Sequence, residues 1–274
     1  MTVIVTIISK SACVHASDSF LTIEKLTGSV DVIEKHKTKI IPVPFFYGAL
    51  SYCGMASGQI VNSYGRLVNF ETYEWLKQKS ANARNFSTPE EFGNYLKDQL
   101  NSTISVQNFG ANKYKTGIVI HFSAYEKIEG VFIPELFAIR NCNGINYQDI
   151  SQNGFSIYRS TYESIPEEKK LPDKDINQNN YECRKLVKEY LQNGGIFFFN
   201  NGDPWLSSPS INAILRMSKV ANDRNILINS TEIDLLKEIA IWVIKSVIKF
   251  QEKFLLAGRQ VVGGYIHTKV IKSR

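Results

Sequence analysis

Residues 2–9 read Thr-Val-Ile-Val-Thr-Ile-Ile-Ser, a β-branched and almost continuously apolar run. Alternation of polar and apolar residues would mark a strand with one wet face; its absence over this length predicts a strand covered on both sides. Residues 12–16, Ala-Cys-Val-His-Ala, continue the pattern after Lys10 and Ser11, so the two segments form a hairpin. A turn centred on Lys10 and Ser11 makes opposed residue numbers sum to 21 and sets Asp18 against Val3. A centre half a residue earlier makes them sum to 20 and sets Asp18 against Thr2. Either register brings the Asp18 carboxylate within about 5–8 Å of the chain start.

Strands and helices alternate in blocks further along. A polar, strand-like excursion covers 20–32, and a second hairpin runs from Lys39, Ile40 and Ile41 through Pro42 and Pro44 to residues 45–50. The spacing of Ile60, Tyr64, Leu67 and Leu76 predicts a helix within 54–79, which Gly65 weakens. Thr88, Pro89 and Glu91 form a capping-box start for a helix reaching about Leu100. Strands are expected at 117–122, 131–139 and, more weakly, 155–159. A charged, Pro-bearing stretch at 164–180 leads into a helix over 181–192, and 147–192 as a whole reads as a surface insertion in a single domain spanning 1–274. A short strand at 195–199 is followed by a helix starting at Ser208, a second over 231–256, and a final strand at 261–271 entered through Gly263 and Gly264. Two antiparallel sheets between helices accommodate this order.

Bulk properties narrow the function classes. A chain of 274 residues with 43% hydrophobic and 21% charged content has an ordinary globular composition. The net charge of +6 is spread along the chain apart from Lys35, Lys37 and Lys39 and the terminal Lys269, Lys272 and Arg274, which argues against nucleic acid as a partner. Cys13, Cys53, Cys142 and Cys183 lack the spacing of a zinc ribbon or a disulfide framework, and the four histidines lack ligand spacing, so neither a metal nor another cofactor is expected. The start of the chain has no basic region or cleavage site of a signal peptide. Lys245, Lys249 and Lys253 line one side of the long apolar helix and argue against a membrane span. A cytoplasmic location is expected. Phosphate-binding, dinucleotide-binding and metalloprotease motifs do not occur.

Thr2 is the residue with the most chemistry to offer. If Met1 is removed, Thr2 carries a hydroxyl nucleophile and a free α-amine that can act as its own general base. Such an amine has a pKa of about 7.7–8.0 and accepts a proton near neutral pH. A neighbouring ammonium favours ionisation of the hydroxyl, and a carboxylate such as Asp18 would hold that ammonium in place.

Several short motifs, in order, resemble the proteasome β-subunits and their bacterial HslV- and Anbu-type relatives. They are Thr2, Ala16-Ser17-Asp18-Ser19, Lys39 followed by Ile40, Gly48-Ala49-Leu50-Ser51, and Val262-Gly263-Gly264. The resemblance covers the first 55 and last 40 residues. It implies an α+β fold, a four-layer αββα sandwich of two antiparallel sheets between helical layers, and self-assembly into a ring or helical oligomer. Thr2 then falls at the nucleophile of a threonine peptidase, Lys39 at its catalytic lysine and Asp18 at the acid that positions that lysine. An amide from the turn at 51–54, of Tyr52 or Gly54, is the expected oxyanion donor at a helix start, and Asn201 and Asp203 fall near another site position. The substrate is expected to be a peptide or small amide. Tyr52 stands where the family has Gly, and Arg259 and Val262 stand where it has Asp and Ser. These departures suit the alternative of a catalytically inactive structural subunit.

Overall fold

The computed structural model describes residues 3–24, 30–62, 64–104, 117–128, 130–142, 151, 153–165, 180–201, 233–254 and 262–272. They form an α+β structure with several antiparallel sheets. The first sheet has strand order β12-β1-β2-β13, with β1 at Ile4–Ile8, β2 at Ala12–Asp18, β12 at Phe197–Asn201 and β13 at Ile266–Lys272. The second has the order β11-β10-β9-β6-β5: β5 is Ile40–Val43, β6 Gly48–Gly54, β9 Ile118–Ile128, β10 Val131–Arg140 and β11 Ser156–Arg159. Two separate hairpins complete the strands, β3 (Leu21–Glu24) with β4 (Val30–Glu34) and β7 (Ser57–Val61) with β8 (Leu67–Glu71). The helices are α1 (Thr72–Ser80), α2 (Pro89–Thr103), a single turn α3 (Ser160–Glu163), α4 (Asn180–Gln192) and α5 (Ile233–Phe254).

Both faces of the first hairpin are covered, as the apolar run predicts. Val3, Val5, Ile7, Val14 and Ala16 pack against Leu236, Ala240, Val243, Ile244 and Val247 of α5. Each large aliphatic side chain buried there contributes about 1.5–3 kcal/mol. On the opposite face, Ile8 and Cys13 pack with Ile40 and Ala49 of the second sheet, with Tyr125 of β9 and with Cys183, Val187 and Leu191 of α4. The far face of the second sheet, carrying Leu50, Tyr52, Ile120, Phe122 and Phe137, is covered by Leu76 of α1 and by Phe92, Leu96 and Leu100 of α2. The start of α2 carries the capping box: the Glu91 amide donates to Thr88 Oγ1 at 3.2 Å, and Glu91 Oε2 accepts from the Thr88 amide at 3.3 Å.

The chain departs from the sequence expectation at 54–79. It leaves β6 into the β7–β8 hairpin, and helix begins only at Thr72. Tyr64 is 85% exposed and Leu67 62%, so these residues do not form a buried helical face. The turn is built instead by the Asn62 side chain, which accepts the amides of Tyr64 and Arg66 at 3.0 Å each, and by Gly65 at φ 74°. Within 147–192, β11 is the edge of the second sheet and α4 lends Cys183, Val187 and Leu191 to the core. Arg159 and Arg184 pair there with Glu135 at 3.2 and 3.1 Å and with Glu90 at 2.7 and 3.3 Å, which ties β11 and α4 to β10 and the start of α2. The helix expected from Ser208 lies outside the described residues.

Candidate active site

The β1–β2 register pairs Ile4 with Ser17 and Thr6 with His15, so opposed numbers sum to 21 and Asp18 lies against Val3. The Val3 amide donates to Asp18 Oδ1 at 3.0 Å. The Lys39 ammonium, at the start of β5, donates to the same oxygen at 3.1 Å and to the Phe20 carbonyl at 2.6 Å. The Gly263 amide fills the other carboxylate oxygen at 3.2 Å. Three distant parts of the chain therefore converge on Asp18, and both charged side chains are fully shielded from solvent. Burial holds the Lys39 ammonium below its usual proton affinity, while the charge of Asp18 opposes that shift.

The three neighbouring lysines are separated by the structure. Lys37 forms an ion pair with Glu71 at 2.5 Å, Lys35 is exposed, and Lys39 alone of the three enters the interior to meet Asp18. Thr2 lies outside the described residues; Val3, the next residue, is buried and bound to Asp18.

The oxyanion expectation changes. No helix starts at 51–54, because these residues continue β6. The Tyr52 amide donates to the Lys39 carbonyl at 3.3 Å and is thereby used. The Met55 amide points the other way, to the Gly117 carbonyl at 3.1 Å. Strand alternation then directs the Gly54 amide to the same edge as that of Tyr52, beside Lys39. Gly54 has φ 96°, and a Cβ there would lie 1.8 Å from the Gly117 carbonyl oxygen. Ile4 packs with Cys53, Val119 and Cys142, which keeps the start of β1 next to the end of β6.

Asn201 pairs with Ile4, and its side-chain amide reaches His121 Nε2. It thus belongs to a polar seam between the two sheets. With the Asn201 nitrogen as donor, His121 Nε2 accepts, leaving Nδ1–H to donate to Thr6 Oγ1 at 2.9 Å. The Thr6 hydroxyl can then donate to His15 Nδ1 at 3.4 Å, and His15 Nε2–H to Ser123 Oγ at 2.6 Å. Ser51 Oγ lies 2.9 Å from His15 Nδ1. Burial pushes both imidazoles down to about 3, and for His15 the neighbouring His121 adds to the shift. They are neutral, satisfied links between the sheets. Asp203 and Arg259 lie outside the described residues.

Gly263 and His267 are additions that the motifs did not single out as site residues. Gly263 completes the carboxylate cradle through its amide, and a Cβ there would lie 2.4 Å from the Phe20 ring. His267 stands opposite Ser17 on β13, a placement recoverable only once the β2–β13 register is known.

Among the described residues, no group of three or more His, Cys, Asp or Glu side chains is arranged to hold a metal ion, and no helix is long and apolar enough to cross a membrane. No protein-family model matches the chain, and a search of curated proteins finds no match.

Proposed function

We propose that the chain is an N-terminal-nucleophile amidohydrolase of the proteasome-like type, a threonine peptidase acting through Thr2 after removal of Met1. One observation carries this: the Val3 amide and the Lys39 ammonium share Asp18 Oδ1, which anchors the residue after Thr2 to a buried ammonium–carboxylate couple. The helices on the outer faces of two facing antiparallel sheets support the finer reading of the fold as a four-layer αββα sandwich.

In this mechanism the Thr2 hydroxyl attacks the carbonyl of a peptide or small amide while the α-amine takes its proton. The Lys39 ammonium stabilises the developing alkoxide, and Asp18 keeps that ammonium in position. The Gly54 amide is the oxyanion donor, since the Tyr52 amide is already bonded. The amine product leaves with the proton, and water releases the acyl group from the Thr2 ester. No cofactor takes part. Self-assembly into a ring or helical oligomer and a cytoplasmic location belong to the same proposal.

Intact-mass measurement on protein from its native cell, before and after a threonine-reactive electrophile, tests the mechanism. Loss of Met1 and one adduct per chain, mapped to Thr2, are expected. Retained Met1 with no adduct overturns it. Engagement of the Tyr52 amide by Lys39 favours a second reading, a catalytically silent structural or interaction subunit of the same fold. A stoichiometric Thr2 adduct eliminates that reading.

A further inference from the structure

Beside the Lys39–Asp18 couple lies a polar pair that the mechanism above does not use. Ser17 and His267 oppose each other across β2 and β13. On the same ladder, Cys13 and Ile271 face the interior shared with Ile40, whereas Val14, Ala16, Ile266 and Val270 face α5. Alternation therefore turns Ser17 and His267 toward the space between the sheets, each one residue along its strand from the opposed pair Asp18 and Ile266. Ser17 Oγ and His267 Nε2 are both buried, and neither has a hydrogen-bond partner among the described residues. Buried polar atoms are normally paired, so two orphans on opposed residues beside a buried ion pair call for a role.

We propose that His267 is a positioning residue of the Lys39–Asp18 site: its protonation adds a second cation where one carboxylate serves one ammonium, and this disarms the couple. Its effect on turnover rests on the amidohydrolase reading above; the charge coupling itself does not. The ionisable groups acting on the imidazole are Lys39 at the start of β5, Asp18 on β2 and His36 from the segment before β5; Lys269, further along β13, is exposed. Burial is the main influence keeping His267 neutral; Lys39 and His36 add to it, and Asp18 opposes them. Near neutral pH the imidazole is uncharged and Asp18 serves Lys39. As the pH falls, the imidazolium competes for Asp18 and repels Lys39, so the ammonium is no longer held for Thr2.

The test has two arms. First, the rate of Thr2 adduct formation is followed from about pH 4 to 8 in the full chain and in His267→Gln. The Thr2 α-amine must be unprotonated to act as base, so the wild-type rate should fall about tenfold per pH unit below the amine midpoint and about a hundredfold per unit below the imidazole midpoint. In His267→Gln only the amine's roughly tenfold-per-unit fall should remain, so that the ratio of the rate at about pH 5 to that at about pH 7.5 rises roughly tenfold over wild type. An acid limb of the same position and steepness in His267→Gln overturns the proposal. Second, the His267 ring proton, assigned by its loss in that variant or in His267→Asn, is titrated by NMR. A midpoint below the ordinary value of about 6.5 is expected, rising in Lys39→Met; a midpoint that does not rise in Lys39→Met overturns the coupling. If wild type forms no adduct at any pH, the hydrolase reading fails while the NMR midpoint still decides the coupling.

Discussion

Lys39 donates its ammonium to Asp18 Oδ1 at 3.1 Å with both side chains fully excluded from water. Removing one partner leaves the other as an uncompensated buried charge, which costs far more than the pair contributes. Lys39→Met and Asp18→Asn should therefore each lower unfolding stability by about 3–5 kcal/mol, measured by urea denaturation. The double substitution should cost less than the sum of the two singles.

Thr2→Ala should abolish amide hydrolysis while leaving the unfolding free energy within about 1 kcal/mol of wild type, because only one hydroxyl and one methyl group are removed. Residual hydrolysis equal to wild type would place the chemistry on another residue. A chain from which Met1 has not been removed should be as inactive as the variant, since an amide nitrogen cannot take the hydroxyl proton.

Acid should loosen the protein through the inter-sheet seam. His15 and His121 have folded-state values of about 3 against 6.5 for the free side chain, both set chiefly by burial. Because the folded-state values are depressed, the unfolded chain binds more protons between them. The stability is thus fully present above pH 6.5 and is lost progressively as the pH falls toward about 3. Each histidine contributes a slope of roughly 1.4 kcal/mol per pH unit inside that window. Urea midpoints collected across the window should show the decline, and His121→Gln should remove about half of it.

Gly54→Ala should destabilise the fold by at least about 2 kcal/mol. The added Cβ would lie 1.8 Å from the Gly117 carbonyl oxygen, at a φ of 96° that side chains avoid. Thermal unfolding reads this directly. A variant as stable as wild type would show that the end of β6 can relax.

The parts of this fold legible in the sequence are those whose signal is local. The unbroken apolar run at 2–9 foretold β1 covered on both faces, and Thr88, Pro89 and Glu91 foretold the start of α2 within a residue. The hairpin left two registers open, because one residue of turn position changes nothing in the apolar pattern; the ladder itself selects the sum of 21. The stretch at 54–79 misled because Ile60, Tyr64 and Leu67 mimic a helical face, although two of the three are solvent-facing residues of a hairpin and its turn. Asp18 and Lys39 could be named from motif order, but the choice of Lys39 over Lys35 and Lys37 becomes physical only in the burial of its side chain. Gly263 and His267 are brought beside Asp18 and Ser17 by the long-range pairing of β13 with β2, which no short window of sequence encodes.

The three residues between β1 and β2, Ser9, Lys10 and Ser11, are held by the Ser9 hydroxyl, which accepts the amides of Ser11 and Ala12 at 3.3 and 3.2 Å. Inserting or deleting one residue there would exchange the two sides of every position in β2. His15 and Ser17 would be thrust under the greasy underside of α5, Val14 and Ala16 would intrude among hydroxyls and imidazoles, and the carboxylate would lose its ammonium. The length of this small loop is therefore tightly constrained: homologues that keep the site should vary Lys10 and Ser11 freely, retain a hydroxyl or other short acceptor at Ser9, and change the count not at all.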